Sequence, residues 1–161
     1  MSELFPVNAG ITELRGIIKI IQEHGGTINI SGLAEDAREQ IDYLLPLIDA
    51  CEMLGFAHVD SGVITLANKK MQIGVTSFLR ETRNRLAGVE PFKSVMALLK
   101  QHLASTTPEI VAQLKEKGIQ LHGDPVTNEE TLKNLMLRWG VRTKLLSYNP
   151  RNDEWHITGR S

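Results

Sequence analysis

The first part of the chain carries hydrophobic residues at three- and four-residue intervals, which is the spacing of one face of an α-helix. Residues 11–24 show this pattern clearly, and Gly25 and Gly26 are suited to end that helix. Residues 27–30 instead alternate and are rich in β-branched side chains, which favours a strand. The predicted order is a helix over residues 11–24, a strand over 27–30, a short helix over 32–37 capped by Ser31, and a helix over 40–54.

A β-hairpin is predicted directly after the fourth of these elements. Residues 56–66 have the pattern of strand, turn and strand, and Gly62 can adopt the positive φ that a tight turn requires. Pro46 lies within the preceding helical pattern, where it indicates either a kink or a helix start nearer Leu45. A helix followed by a hairpin is the second half of a winged helix, so the sequence predicts one over residues 1–67.

The second half of the chain repeats this plan with weaker signals. The predicted elements are helices over residues 68–74 and 75–87, a break at 88–91, helices over 92–103, 109–117 and 129–139, and strands over 145–148 and 155–158. Thr107 is the expected cap of the helix over 109–117, and residues 123–125 are expected to be a loop. Gly140 is expected to end the helix over 129–139.

The sequence therefore predicts a mainly α fold with small β-hairpins, in the α+β class. Its predicted domains are a first winged helix over residues 1–67, a helical linker over 68–90 and a second winged helix over 91–161. No secretory signal and no apolar run as long as a membrane helix is visible. We therefore expect a cytoplasmic protein without membrane insertion.

The net charge of −1 hides a strong segregation of charge along the chain. Residues 1–67 hold three Lys or Arg against ten Asp or Glu, residues 68–104 hold seven against two, and residues 105–161 hold eight against seven. The three segments therefore carry −7, +5 and +1, which add to the total of −1. Segments of opposite charge either meet within a fold or contact partners.

Signatures of catalysis, of cofactor binding and of metal binding are missing from the sequence. It contains neither the G-x-x-x-x-G-K-[ST] phosphate loop nor the G-x-G-x-x-G dinucleotide fingerprint. The five histidines are scattered without zinc-ligand spacing, and Cys51 lies on the apolar face of a helix, where a buried, inert thiol is expected. We expect no catalytic residues, no cofactor and no metal, and hence no enzyme.

The chain resembles a known family at several of these positions. The run from Tyr43 to Val59, the segment from Gly62 to Leu66, the helix from Leu14 to Gly26 and the pair Trp139 and Gly140 carry this resemblance. They look like the AAA-associated C-terminal domain, over roughly residues 9–158. That family occurs fused behind the ATP-binding subunit of nitrate-, sulfonate- and bicarbonate-type ABC transporters, and sometimes alone. The resemblance implies an accessory module and carries over no catalytic residues. We expect this chain to differ from the fused form in having no ATPase domain ahead of it.

A winged helix also suggests DNA binding, which depends on Lys and Arg that neutralise phosphates. The first candidate recognition helix instead carries Glu39, Asp42, Asp49 and Glu52 and no Lys or Arg, which argues against a conventional DNA reader. The second unit is less acidic. The residues that we expect to contact a partner or nucleic acid are Arg80, Arg83 and Arg85 in the middle segment, and Arg142, Lys144 and Arg151 in or near the second hairpin.

These observations predict a non-catalytic interaction or regulatory module that acts by protein–protein association. The expected partners are an ABC transporter ATPase subunit or a second copy of the chain in a homodimer, with nucleic acid less favoured. The arginines of the middle segment either pair with the acidic first domain or dock to an acidic partner. The alternative function is a winged-helix transcriptional regulator that uses the second unit or the basic middle segment.

Overall fold

A computed structural model describes residues 3–159 of the chain, which divides into two compact units. The N-terminal unit is Pro6–Phe78, and the C-terminal unit is Leu79–Ser161 together with Met1–Phe5. Within the described residues, the fold is mixed α/β, with seven α-helices, one π-helix and two small antiparallel sheets of three strands each. The boundary between the units lies within helix α4 (Val75–Leu86).

The N-terminal unit has a sheet whose strands lie in the order β1, β3, β2. Its elements are α1 (Ile11–Glu23), β1 (Thr27–Asn29), α2 (Ile30–Ala37), α3 (Ile41–Met53), β2 (Ala57–Asp60) and β3 (Val63–Leu66). Ile64 of the central strand pairs with Ile28 on one side and Val59 on the other, and it is buried. Ser61 and Gly62 both have positive φ, as a two-residue hairpin turn requires, so the predicted hairpin is confirmed.

The C-terminal unit has a second sheet, in the order β4, β6, β5. Its elements are α5 (Phe92–Gln101), β4 (Ser105–Thr106), α6 (Thr107–Glu116), α7 (Pro125–Leu135), the π-helix Met136–Val141, β5 (Leu146–Asn149) and β6 (Glu154–Ile157). Each unit thus has a helix, a strand, two further helices and then two strands, and the last strand of the C-terminal unit is the central one. In the N-terminal unit the last strand, β3, is likewise central.

The N-terminal segment contributes a side chain to the core of the C-terminal unit. Phe5 is buried, and its ring meets the rings of Phe92 and Trp139 edge to face at centroid distances of 6.2 and 4.6 Å. The Phe5 backbone N–H donates to the carbonyl of Glu90 at 2.8 Å, and Leu4 forms a parallel bridge with Glu90. Leu4 and Phe5 are therefore held by contacts with residues that are distant in the chain.

The predicted helix over residues 68–74 is wrong. The Lys70 N–H donates to the Asn68 side chain at 3.0 Å in a local turn, while Gln22 donates to the carbonyl of Met71 at 2.8 Å. Arg15 donates in the same way to the carbonyl of Ile73 at 2.5 Å. Because side chains of α1 bind these carbonyls, the segment runs across α1 and forms no helix.

Several predicted helix boundaries are also wrong. Asn29, not Ser31, caps α2, and Thr106, not Thr107, caps α6 through a capping box with Glu109. The alternative of a start near Leu45 is excluded, since α3 begins at Ile41 and contains Pro46.

The loop predicted over residues 123–125 is shorter than expected. Helix α7 begins at Pro125, because Asp124 accepts the Thr127 N–H at 2.9 Å and caps it. Its predicted end at Gly140 is wrong as well, since the π-helix continues through Val141.

Thr82 offers a stability test of the C-terminal unit. Among the buried side-chain nitrogen and oxygen atoms of residues 3–159, only Thr82 Oγ1 has no hydrogen-bond partner. We expect Thr82→Val to raise the free energy of unfolding by about 1 kcal/mol, because valine has the same shape without an unpaired hydroxyl. Urea denaturation followed by tryptophan fluorescence measures this change, since Trp139 and Trp155 both lie in this unit.

Thr143→Val is the matched control for this experiment. The Thr143 hydroxyl is also buried, but it donates to the carbonyl of Trp139 at 2.7 Å. This substitution should therefore lower the free energy of unfolding by about 1 kcal/mol. Equal destabilisation by both substitutions would contradict the assignment of an unpaired hydroxyl to Thr82.

Candidate functional site

The outward face of α3 combines exposed apolar side chains with carboxylates. Three large apolar side chains of the helix are exposed, which are Ile41, Tyr43 and Leu45. Ile41 and Leu45 lie one helical turn apart, with 43% and 41% of their surface accessible. The same side of the helix carries three exposed acidic residues, Asp42, Asp49 and Glu52. Helix α3 contains no Lys or Arg. At 100° per residue, Asp42 and Asp49 both lie to one side of Ile41 and Leu45, so this face presents negative charge next to an exposed apolar pair.

The opposite face of α3 fixes the helix in the N-terminal unit. It carries five buried residues, which are Leu44, Leu47, Ile48, Ala50 and Cys51. At its C-terminal end, Glu52 accepts the backbone N–H of Val59 at 3.1 Å, which joins the helix to the edge strand β2. The outward face is thus held by a packed core and a hydrogen bond to the sheet.

The thiol of Cys51 is expected to be unreactive while the protein is folded. Burial raises the pKa of its thiol to about 12, and the neighbouring Glu52 carboxylate adds to the rise. Since the thiolate is the reactive form, we expect the native protein to react with the disulfide reagent DTNB at pH 8 at least about 100-fold more slowly than the protein unfolded in guanidinium chloride. Release of thionitrobenzoate, followed by absorbance, measures the reaction.

A Cys51→Ala variant provides the blank for this measurement, because the chain has one cysteine. Fast, stoichiometric labelling of the native protein would show that the thiol is accessible and would contradict its burial.

The predicted contact residues of the middle segment lie on α4. Arg80 is exposed and Arg83 is half-buried, and their three-residue spacing makes them neighbours on the helix surface. Arg85 differs from them, because its Nε donates to Glu81 Oε1 at 2.9 Å within the same helix. The four-residue spacing of Glu81 and Arg85 is a sequence signal that could have identified this pair.

The other predicted contact residues lie at two places in the C-terminal unit. Arg142 and Lys144 are both exposed and directly follow the π-helix, and Lys144 has a positive φ of 66°. Arg151 is exposed in the turn between β5 and β6. Arg142 and Lys144 are therefore close in the chain, whereas Arg151 belongs to a separate turn.

A polar cluster in the C-terminal unit was not predicted from the sequence. Asp153, which has a positive φ of 51°, accepts the hydroxyls of Thr107 and Tyr148 at 2.6 and 2.7 Å and the Thr107 N–H at 2.9 Å. The Thr107 hydroxyl in turn accepts the indole N–H of Trp155 at 2.8 Å. The Lys133 ammonium lies 5.3 Å from the centre of the Tyr148 ring. The cluster joins the hairpin turn to the start of α6.

The electrostatics of Asp153 follow from these contacts. Burial by itself raises the pKa of Asp153, but hydrogen bonds from Thr107 and Tyr148, with the charge of Lys133, outweigh that effect and lower the pKa below its ordinary value. The pKa of Lys133 is raised, chiefly by its interaction with Tyr148. Asp153 is therefore an ionised acceptor whose hydrogen bonds are used within the fold.

The remaining features of the described residues are few. A pocket of about 130 Å³ lies between α5 and α6, with Gln101, Gln113 and Lys117 among its lining residues, and it is below the size of typical ligand pockets. Between residues 3 and 159, no group of three or more His, Cys, Asp or Glu is placed to hold a metal ion. In the same range, no helix has the length and apolar character needed to cross a membrane.

Comparison with known proteins assigns the family. A sequence model of the C-terminal AAA-associated domain matches residues 31–149. This range runs from α2 to the end of β5, so it includes α3, the first hairpin and the π-helix but not the final strand β6. Neither a curated protein nor a solved structure matches the chain. The resemblance inferred from the sequence is confirmed by this match, which covers more than half of the chain. The protein belongs to the C-terminal AAA-associated domain family.

Proposed function

We propose that the protein is a non-catalytic interaction module that associates with the ATP-binding subunit of an ABC transporter. The observation that carries this proposal is the outward face of α3, which combines an exposed apolar pair, Ile41 and Leu45, with carboxylates beside it and has no Lys or Arg within the helix. Such a face suits a protein partner better than a polyanion. The family context supports an ATPase subunit as the partner and the cytoplasm as the location.

We further infer that each unit is a winged helix, with the predicted domains over residues 1–67 and 91–161 joined by a segment over 68–90 that includes α4. The order of elements in each unit supports this inference, because a helix, a strand, two helices and a hairpin follow one another in both. The strand orders β1, β3, β2 and β4, β6, β5 also support it, since the last strand is central in each sheet. In this interpretation α3 occupies the position of a recognition helix.

Association is tested with purified components. The full chain is mixed with an ATP-binding subunit of the nitrate, sulfonate or bicarbonate transporter type from the same organism, and the complex is sought by size-exclusion chromatography with light scattering. We expect a complex of the two proteins, or a homodimer if the module acts by self-association, and no ATP hydrolysis by the chain alone. A strict monomer that binds none of these subunits would overturn the proposal.

A DNA-binding regulator remains the second candidate function, because Arg142 and Lys144 are exposed directly after the π-helix. DNA binding through phosphates weakens steeply as salt rises. Fluorescence anisotropy with labelled duplex DNA across a salt series tests this candidate. Micromolar or tighter binding that falls steeply with salt and is lost in an Arg142→Ala/Lys144→Ala variant would establish it in place of the interaction role.

A further inference from the structure

We infer that the outward face of α3 binds a cationic amphipathic helix of the partner protein. This inference rests on the proposed interaction role and adds to it the surface and the chemistry of the partner segment. The surface consists of Ile41, Leu45 and the half-buried Met53, with the carboxylates of Asp42, Asp49 and Glu52 beside them.

The apolar residues define the shape of the contact. Ile41 and Leu45 are separated by one turn, and the half-buried Met53 lies near the C-terminal end of the helix, on the other side of Asp42 and Asp49. A helix of 13 residues, as α3 is, extends about 20 Å, which matches three to four turns of a partner helix. Single exposed apolar residues are ordinary, but two on adjacent turns of one helix face can pack against another helix.

The carboxylates define the charge of the partner. In the part of the chain that the structure describes, the side chains of Asp42 and Asp49 form no hydrogen bond or ion pair, whereas Glu52 is bound to Val59. Two unpaired carboxylates beside an apolar pair attract Lys or Arg and repel phosphate-rich surfaces. The complementary segment therefore carries apolar residues with Lys or Arg beside them.

The experiment uses a defined probe in place of the unidentified partner. The probe is a fluorescein-labelled helical peptide of about 14 residues with leucines on one side and lysines beside them. One control peptide carries glutamate in place of every lysine, and the other carries serine in place of every leucine. Anisotropy titrations with the full chain are performed at low and high salt.

We expect the lysine–leucine peptide to bind, and both control peptides to bind at least about 10-fold more weakly. The double variants Ile41→Ser/Leu45→Ser and Asp42→Asn/Asp49→Asn should each weaken binding by at least about 10-fold, and salt should weaken binding to the wild-type protein. The matched controls are Val126→Ser, an exposed apolar residue of the other unit, and Glu116→Gln/Glu130→Gln, two exposed carboxylates outside α3. Circular dichroism verifies that each variant is folded.

The inference is overturned if the peptide does not bind, if the glutamate peptide binds equally well, or if the α3 and control variants lose binding equally. A concentration-dependent dimer that is lost on changing Ile41 and Leu45 also overturns the inference, because a second copy then covers the face.

The same α3 variants are tested for binding to the ATP-binding subunit. If that subunit binds wild type and α3 variants equally, the inference fails while the proposed function stands. If the peptide binds as expected and the subunit does not, the ATPase partner fails while the surface assignment stands.

Discussion

Replacing Phe5 with alanine is expected to lower the free energy of unfolding of the C-terminal unit by about 3–5 kcal/mol. Phe5 is 1% exposed, and its ring lies against Trp139 at 4.6 Å and Phe92 at 6.2 Å. The substitution removes the aromatic contacts and leaves a cavity between two rings that are themselves fully buried.

Tryptophan fluorescence during urea denaturation measures this effect selectively. The two tryptophans of the chain, Trp139 and Trp155, both lie in the C-terminal unit, so their transition reports on that unit. Phe5→Leu retains most of the buried volume and should cost about 1 kcal/mol, while the exposed Glu3→Ala should change stability by less than about 0.5 kcal/mol. Unchanged stability of Phe5→Ala would show that the N-terminal segment does not pack in this core.

The role of Phe5 shows a limit of reasoning from sequence pattern. Periodicity identified α1 and α3, because their buried residues recur every three or four positions within one helix. Phe5 is a single aromatic residue in a leader without any such repeat, and its partners Phe92 and Trp139 are distant in the chain. No local signal specifies a contact of this kind.

Gly140 shows a second limit, since its physical role differs from the expected one. A glycine after a helical pattern predicts a helix end, yet the chain continues through Gly140 in a π-helix. A Cβ at this position would lie 2.7 Å from Leu146 Cδ1 and 3.2 Å from Leu146 Cγ. The position thus favours glycine because β5 approaches the π-helix closely, which is a tertiary requirement that local propensity does not encode.

The candidate surface was more accessible to sequence reasoning than the polar cluster. Counting charges identified α3 as an acidic helix, whereas the exposure of Ile41 and Leu45, which belong to its apolar pattern, is known only from the structure. The contact of Asp153 with Thr107 joins residues 46 positions apart, so only the fold brings them together. The predicted basic residues were found on the surface, but the pairing of Arg85 with Glu81 sets it apart from Arg80.

Asp153 is the second position at which we expect a large effect, with Asp153→Ala lowering the free energy of unfolding of the C-terminal unit by about 3 kcal/mol. The substitution removes the acceptor for both the N–H and the hydroxyl of Thr107, and Thr107 is buried. It also removes the acceptor for the Tyr148 hydroxyl and places alanine at a positive φ, which aspartate tolerates better. Asp60→Ala, at the end of β2 next to the turn of the first hairpin, is the matched control and should cost less than about 0.5 kcal/mol.

The same carboxylate makes the stability of this unit depend on pH. Because the pKa of Asp153 is lower in the folded protein than in the unfolded chain, its ionisation stabilises the fold at pH values above its ordinary pKa. That contribution is lost as the pH falls through the lowered pKa of the folded state. The difference in unfolding free energy between wild type and Asp153→Asn should therefore be constant near neutral pH and shrink below about pH 4. Urea denaturation of both proteins, followed by tryptophan fluorescence from pH 7 to pH 3, measures this difference. A difference that grows on acidification would show that Asp153 is held in its protonated form.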